Sequence, residues 1–163
     1  MTKLNVEFFN SHNPCYPAEN ALGEGWEGTI LDVLENKNIP ADDRIWTATR
    51  EGVLSDKTLR LAAVQFVRKT PISGGKTVFD LLADERSKNA LLIAERYAKG
   101  QAADEELAAA RDAAAATAAK AAFAAATAAA AAAAHADTAT AAAYSVARNT
   151  QIDILIEVIK ENE

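Results

Sequence analysis

The sequence Gly75-Lys76-Thr77 is the first group of residues that could carry chemistry. It matches the end of the phosphate-binding pattern G-x-x-x-x-G-K-S/T, in which backbone amides and the lysine bind phosphate groups. The pattern also requires a glycine at position 70, where this chain has Thr70, and a strand before the loop. Residues 56–69 have helical periodicity instead. We therefore expect a turn that precedes a short helix at residues 77–82, rather than a phosphate site.

Histidine and cysteine are the next candidates, because they serve as bases, nucleophiles and metal ligands. His12 and Cys15 are three residues apart, but they lie in a loop with two prolines and have no evident third catalytic partner. His12 and His135 form no H-x-x-x-H pattern, so a zinc site would need further ligands brought together by the fold alone. The sequence predicts a structural cysteine, no metal site and no cofactor.

Acidic residues open a predicted helix at Asp84-Glu85-Arg86-Ser87. A carboxylate at this place accepts a hydrogen bond from an unpaired backbone amide and caps the helix. Acid–base catalysis would need a second carboxylate facing the first across a cleft. Capping is the favoured interpretation, so no catalytic residue is predicted and we expect the protein not to be an enzyme. The enzyme hypothesis that stays open uses dispersed residues such as His12, Asp84 and Glu95.

A set of acidic side chains is the best candidate for a partner-binding surface. The formal net charge is −6, so the chain is not expected to bind nucleic acid directly through basic charge. Carboxylates gathered on one surface would attract a partner protein with a basic surface, although the same residues could serve solubility alone. The predicted partner-binding residues are Asp42, Asp43, Asp104, Glu105, Glu106 and Asp112, and Glu157, Glu161 and Glu163 add to the acidic balance.

We expect helices to position these residues, because sequence patterns typical of helices follow one another along the chain. The chain has 163 residues, of which 39 are alanine, so its larger apolar side chains allow only a modest core. We predict an all-α fold, a multi-helix bundle around an alanine-rich helical hairpin with a short extended N-terminal arm. The expected single domain comprises an extended arm and loop at 1–25, short amphipathic helices at 26–100, alanine-rich helices at 103–147 and a C-terminal helix at 151–161.

Local signals predict where several of these helices begin and end. The alternation of Leu4, Val6 and Phe8 favours the extended arm, for which no partner strand is evident. Helical spacing predicts one helix that includes Trp26, Ile30, Val33 and Leu34. Pro40 suits the first position of the next helix, whose apolar side would hold Ile45, Trp46 and Thr49. Ser55 or Asp56 is expected to cap the following helix, and Gly100 to end the helix that Asp84 begins, with Glu95 on its solvated side.

Alanine dominates residues 103–147, where 28 of 45 residues are of this type. Alanine has the highest helix propensity, so one long helix or two helices joined near residues 135–138 are expected, with a further boundary at Asn149 and Thr150. The alanine faces could pack within the chain or form a self-association surface. The large residues Leu107, Phe123, Tyr144 and Val146 are predicted to anchor the helices.

The sequence favours a cytoplasmic protein that does not bind membranes. Residues 1–10 lack the continuous apolar stretch of a signal peptide. The alanine run is too weakly apolar to be read as a membrane span. A single cysteine fits a reducing compartment.

Residues 56–148 resemble a group of alanine-rich bacterial and phage helical proteins of the immunity-protein type. The shared pattern is Arg60-Leu61-Ala62-Ala63-Val64, then Asp84 to Ser87 with the helix that ends at Gly100, then Glu105 to Arg111. The resemblance implies a helical fold and a role in binding and neutralising another protein. It implies no catalytic residue.

These observations lead to a hypothesis and an alternative for the function. We expect a non-enzymatic helical module, of an immunity or phage anti-defence type, that inhibits a partner protein by occupying its surface. The alternative is a structural homo-oligomer assembled through the alanine-rich helix faces.

Overall fold

The computed structural model describes residues 2–12, 14, 17–72, 76–82, 84–113 and 137–163. The fold is mostly helical with one two-stranded sheet, so the all-α prediction is confirmed. The elements are β1 (Lys3–Asn5), α1 (Val6–Ser11), α2 (Glu19–Leu22), β2 (Glu27–Thr29), α3 (Ile30–Glu35), α4 (Ala41–Ala48), α5 (Asp56–Lys69), a 3-10 turn (Phe79–Leu81), α6 (Glu85–Ala98), a helix α7 at 104–113 and α8 (Asp137–Asn162).

The short extended N-terminal arm is confirmed at β1, but the segment becomes helical from Val6 onward. Only β1 is extended, and it pairs antiparallel with β2, with Leu4 opposite Gly28. The side chain of Asn5 then accepts a hydrogen bond from the Phe8 amide at 2.9 Å and starts α1. Val6 and Phe8 therefore lie on a helix, because this cap stabilises a helical turn that the alternation does not show.

The helix predicted from Trp26 begins only at Ile30, because residues 27–29 form β2. Thr29 and Asp32 form a capping box, in which the Thr29 amide donates to Asp32 Oδ2 at 2.6 Å. Gly28 also permits the Trp26 indole to lie close to the backbone, since a Cβ at position 28 would be 2.5 Å from Trp26 Cζ2. The indole in its present position therefore favours glycine at position 28.

Helix α4 begins immediately after Pro40, close to the predicted start, and the expected Ile45 and Trp46 pack partly buried against the core. Arg44, Thr47 and Ala48 are buried, whereas Thr49 is exposed. The guanidinium of Arg44 donates to the carbonyl oxygen of Leu34 at 3.0 Å and satisfies a carbonyl near the end of α3. Packing between α3 and α4 therefore also buries Arg44, which apolar spacing alone did not predict.

The predicted ends of α5 and α6 are confirmed. The side chain of Ser55 accepts from the Thr58 amide at the start of α5, and Asp84 accepts from the Arg86 amide at 2.8 Å at the start of α6. Gly100 follows α6 with a φ of +70°, a conformation in which glycine pays no steric penalty. Glu95 is not on the solvated side of α6, because its side chain is 16% exposed and pairs with Arg68 of α5 at 2.7 Å.

Helix α8 continues through Asn149 and Thr150, so the predicted boundary there is wrong and the expected separate helix at 151–161 is its C-terminal part. Burial explains the continuity, since Ile152, Leu155 and Ile159 are at most 3% exposed and pack into the core. Residues 114–136, and with them Phe123 and most of the predicted alanine-rich hairpin, lie outside the described residues.

Two predicted anchors of the alanine-rich region are solvent-exposed. Tyr144 is 51% exposed and Val146 is 56% exposed, so these side chains do not fix α8 by burial. The core instead joins β1 and α3 to the C-terminal half of α8, where Leu4, Ile30 and Leu34 are at most 1% exposed. Helix α8 packs against α3, α4 and α5, and α5 also packs against α6. This arrangement leaves α6 and α7 on the outer side of α5.

Candidate functional site

An open groove of about 760 Å³, which we name the α5–α7 groove, lies between α5, α6 and α7. Its surface is mainly apolar, and it is therefore the kind of surface that a protein partner covers. Val78 and Leu82, which flank the 3-10 turn, supply one edge. The other apolar lining residues are Val67, Ala90, Leu91, Ala94, Leu107 and Ala108, and the polar ones are Arg60, Ser87, Asp104 and Arg111.

Helix α6 forms the floor of the groove with one face. Ser87, Ala90, Leu91 and Ala94 line it, and their i, i+3, i+4, i+7 spacing places them together on the helix surface. Two of these side chains are alanine, so the floor is shallow and lies close to the backbone. Because Asp84 caps the start of α6 and Gly100 follows its end, these two residues limit the length of this floor.

Side chains from α6 hold the start of α7 in place. Arg96 pairs with Glu106 at 3.2 Å and donates to the carbonyl oxygen of Gln101 at 2.9 Å. The amide of Gln101 donates back to the carbonyl oxygen of Arg96 at 2.7 Å. These bonds direct α7 along the groove, where Leu107 and Arg111 lie four residues apart on the same face.

One end of the groove carries a cluster of polar and aromatic groups. The guanidinium of Arg60 lies 4.9 Å from the ring centroid of Tyr97, within cation–π range. The carboxylate of Asp104 accepts a hydrogen bond from the Tyr97 hydroxyl, and this bond together with the negative charge raises the pKa of Tyr97. The groove therefore offers charges of both signs beside its apolar floor.

Lys76 and Thr77 of the Gly75-Lys76-Thr77 sequence directly precede the segment that contains the 3-10 turn. The amide and hydroxyl of Thr77 donate to Asp80 Oδ2 at 2.7 and 3.0 Å, and these bonds lower the pKa of Asp80. The Ile72 amide donates to the carbonyl oxygen of Lys76 at 2.8 Å. The 3-10 turn at Phe79–Leu81 lies within the short helix predicted at 77–82, whereas the predicted turn at residues 73–75 lies outside the described residues.

The six predicted partner-binding acids lie on two different helices. Asp42 and Asp43 occupy the first turn of α4 and line a second cavity, away from the groove. Asp104, Glu105, Glu106 and Asp112 lie on α7, and of these Asp104 lines the groove.

Several of these acids already have partners within the chain. Asp42 accepts from the Tyr144 hydroxyl at 2.8 Å and pairs with Arg148 at 2.7 Å. Glu106 pairs with Arg96, and Asp112 lies 3.6 Å from Arg111. The acids therefore form two separate groups rather than one surface, and their role in partner binding stays a prediction.

The dispersed residues of the enzyme hypothesis are not brought together. His12 follows α1, with its ring 4.4 Å from Phe8 and 6.5 Å from Trp46 between centroids. Asp84 and Glu95 are separated by eleven residues of helical rise, about 16 Å along α6. Asp84 also pairs with Arg86 at 2.8 Å. His12 packs against α4, so these three residues share no cleft.

The described residues offer neither a metal-binding cluster nor a membrane-spanning helix. They contain no group of three or more histidine, cysteine, aspartate or glutamate side chains placed to hold a metal ion. No described helix is long and apolar enough to cross a lipid bilayer. His135 and Cys15 lie outside the described part of the chain.

Sequence reasoning missed the groove itself. The only local signal is Ala90 and Ala94, two small residues four positions apart beside Leu91, which leave a shallow surface on α6. The sides come from Val67, Val78 and Leu107 on three other elements, and their proximity depends on tertiary packing.

Comparisons with known proteins give no assignment. No protein-family model matches the chain, and no curated protein or solved structure matches it significantly. The resemblance to immunity-type proteins therefore stays a prediction.

Proposed function

We propose that this protein is a non-enzymatic protein-binding module that acts by occupying a partner's surface through the α5–α7 groove. The observation that carries the proposal is the open, mainly apolar groove beside α7. An amphipathic helix binds such a groove by inserting apolar side chains spaced three or four residues apart. The shallow floor at Ala90 and Ala94 leaves room for a helix backbone to approach closely.

The acidic residues of α7 favour a partner helix that carries positive charge. Asp104, Glu105 and Asp112 are exposed acidic residues on α7, at one side of the groove. A partner helix with lysine or arginine beside its apolar face would place those cations against α7. The net charge of −6 also favours encounter with a basic protein, an attraction that salt screens.

The biological role that fits this binding mode is inhibition of a cytoplasmic partner, in an immunity or phage anti-defence setting. The immunity-type resemblance of residues 56–148 supports this setting. A protein that covers a partner's surface needs no cofactor and no catalytic residue of its own.

Photo-crosslinking from two adjacent leucines of α6 tests the proposal. Leu91 lines the groove, whereas its neighbour Leu92 does not line it and is 50% exposed. The crosslinking residue p-benzoylphenylalanine is placed at position 91 in one variant and at position 92 in a matched control. Both variants are irradiated in cells of the organism that encodes the protein, and the crosslinked peptides are sequenced.

We expect position 91, and not position 92, to crosslink to an amphipathic helix with basic residues in another protein. Purified partner and wild-type chain should then bind in a salt-dependent manner, and Leu107→Glu should abolish binding without unfolding the chain. Identical crosslinks from both positions would contradict the proposal. Crosslinks between two copies of this chain would favour the homo-oligomer instead, which light scattering at high concentration would check.

A further inference from the structure

A second cavity of about 390 Å³ lies between α1, α2, α4 and α8 and is separate from the α5–α7 groove. The large apolar side chains in its wall are Phe9, Leu22, Ile39, Ile45 and Trp46. This volume falls within the range of small-molecule pockets, which are mainly apolar with a few polar groups. The cavity is therefore large enough for a compact molecule of one or two rings.

The polar part of the wall comes from α4 and α8. Asp42 and Asp43 lie in the first turn of α4, where the helix macrodipole favours negative charge. Arg148 of α8 pairs with Asp42 at 2.7 Å and also donates to Gln151 Oε1 at 3.0 Å. Among the described lining residues, two carboxylates and one guanidinium are the charged groups, and together they carry a formal charge of −1.

Aromatic contacts hold Trp46 in place at the cavity wall. The guanidinium of Arg50 lies 4.7 Å from the centre of the Trp46 ring, and the His12 ring approaches it edge-on at 6.5 Å. Phe9 packs edge-on against Trp26 at 5.9 Å. Aromatic rings in such fixed positions offer apolar area to a flat ligand and attract a cation to their faces.

We propose that this cavity binds a small amine with an aromatic or cyclic body. The ring would occupy the space beside Phe9 and Trp46, and the ammonium group would lie at the wall formed by Asp42 and Asp43. A carboxylate ligand is disfavoured, because it would meet these acids and would have to compete with Asp42 for Arg148. The site differs from the proposed protein-binding groove in position and in ligand class.

Three ligands with the same indole ring test this assignment. Tryptamine is cationic, indole is neutral and indole-3-acetate is anionic at pH 7. Calorimetric titration of the full chain should show saturable binding of tryptamine, tighter than that of indole-3-acetate by about tenfold or more, which corresponds to about 1.4 kcal/mol. Equal affinity for all three, tighter binding of the acetate, or no saturable binding of tryptamine would overturn the proposal.

Matched variants locate the binding. Asp43→Asn should weaken tryptamine several-fold and leave indole unchanged, whereas Asp56→Asn, which removes an exposed acid from the first turn of α5, should change neither. Ala21→Phe fills the cavity and should abolish binding, while Ala63→Phe at an exposed position of α5 should not. Circular dichroism confirms that each variant folds. Unchanged tryptamine binding by folded Asp43→Asn and Ala21→Phe would overturn the site.

Discussion

The carboxylate of Glu163 links the end of α8 to the start of α5. It accepts hydrogen bonds from the Ser55 amide at 3.2 Å and the Thr58 hydroxyl at 2.7 Å. Thr58 is fully buried, and its hydroxyl also lies 2.9 Å from Ser55 Oγ. The bonds from Thr58 and then Ser55 lower the pKa of Glu163. One side chain therefore serves both as a helix cap and as a tertiary contact between distant parts of the sequence.

Replacing Glu163 with alanine should lower the free energy of unfolding by about 1 kcal/mol at pH 7, because a charged acceptor at a helix N-terminus is lost. This value lies below the usual range of about 1.5–3 kcal/mol for charged acceptors, since Glu163 is exposed to solvent. Urea unfolding measures the change, and Glu161→Ala on the same helix turn serves as the control. Equal stabilities of the two variants would show that the cap contributes nothing.

At the scale of elements, the burial of the described side chains differs along α8. Its C-terminal half supplies Ile152, Leu155 and Ile159 to the core, all at most 3% exposed. Farther toward its N-terminus, Tyr144 and Val146 are exposed. Among the described side chains of α8, those of its last three turns therefore supply the burial, while Arg148 and Tyr144 both contact Asp42 of α4, at 2.7 and 2.8 Å.

Leu155→Ala should destabilise the fold by about 2–5 kcal/mol, because it leaves a cavity in a closely packed core. Val146→Ala removes side-chain atoms from the same helix at an exposed position and should change the stability by about 0.5 kcal/mol or less. Thermal or urea unfolding of both variants provides the comparison. Similar losses at the two positions would contradict the described packing of α8.

Local sequence signals predicted the elements whose ends depend on nearby residues. Ser55, Asp84 and Gly100 act within a few residues of their own helices, so their roles were correctly anticipated. The pairing of β1 with β2 was not, since it depends on contact between Leu4 and Gly28, far apart in sequence. Asn149 and Thr150 suggested a helix end, but burial of the isoleucines that follow outweighs their low helix propensity.

The candidate sites were harder to predict than the helices. Asp42 and Asp104 were chosen for their charge, yet they lie at two different cavities. The partners that distinguish them, Arg148 for Asp42 and Tyr97 for Asp104, come from other elements. The sequence shows that both residues are acidic. Their hydrogen-bond and ion-pair partners depend on the fold, and these partners determine the chemistry of each site.

At the scale of the whole molecule, several carboxylates couple stability to pH in the same direction. Bonds from the Thr29 side chain and amide lower the pKa of Asp32. The hydrogen bond from Lys99 and the charges of Arg68 and Lys99 lower the pKa of Glu95. Together with Glu163, these groups bind protons more weakly in the folded chain than in the unfolded chain.

The free energy of unfolding should therefore be highest at a pH above the ordinary pKa values, which are 3.8 for Asp32 and 4.5 for Glu95 and Glu163. It should fall as the pH drops through the lowered pKa values of the folded chain. Urea midpoints measured from pH 7 to pH 3 will show this loss. The triple variant Asp32→Asn, Glu95→Gln, Glu163→Gln should be less stable at pH 7 and should lose less on acidification. Parallel pH curves for the variant and the wild-type chain would argue against these three groups as the source.

The placement of α8 after every other described element has a consequence for synthesis on the ribosome. Leu4, Ile30 and Leu34 need α8 to complete their burial, and the contact between Glu35 and Lys160 spans 125 residues. At a translation rate of about 5–20 residues per second, about 6–25 s separate the two ends of that contact. During this interval the core residues that precede α8 lack the apolar side chains of α8, so we expect folding to be completed only after α8 has been synthesised.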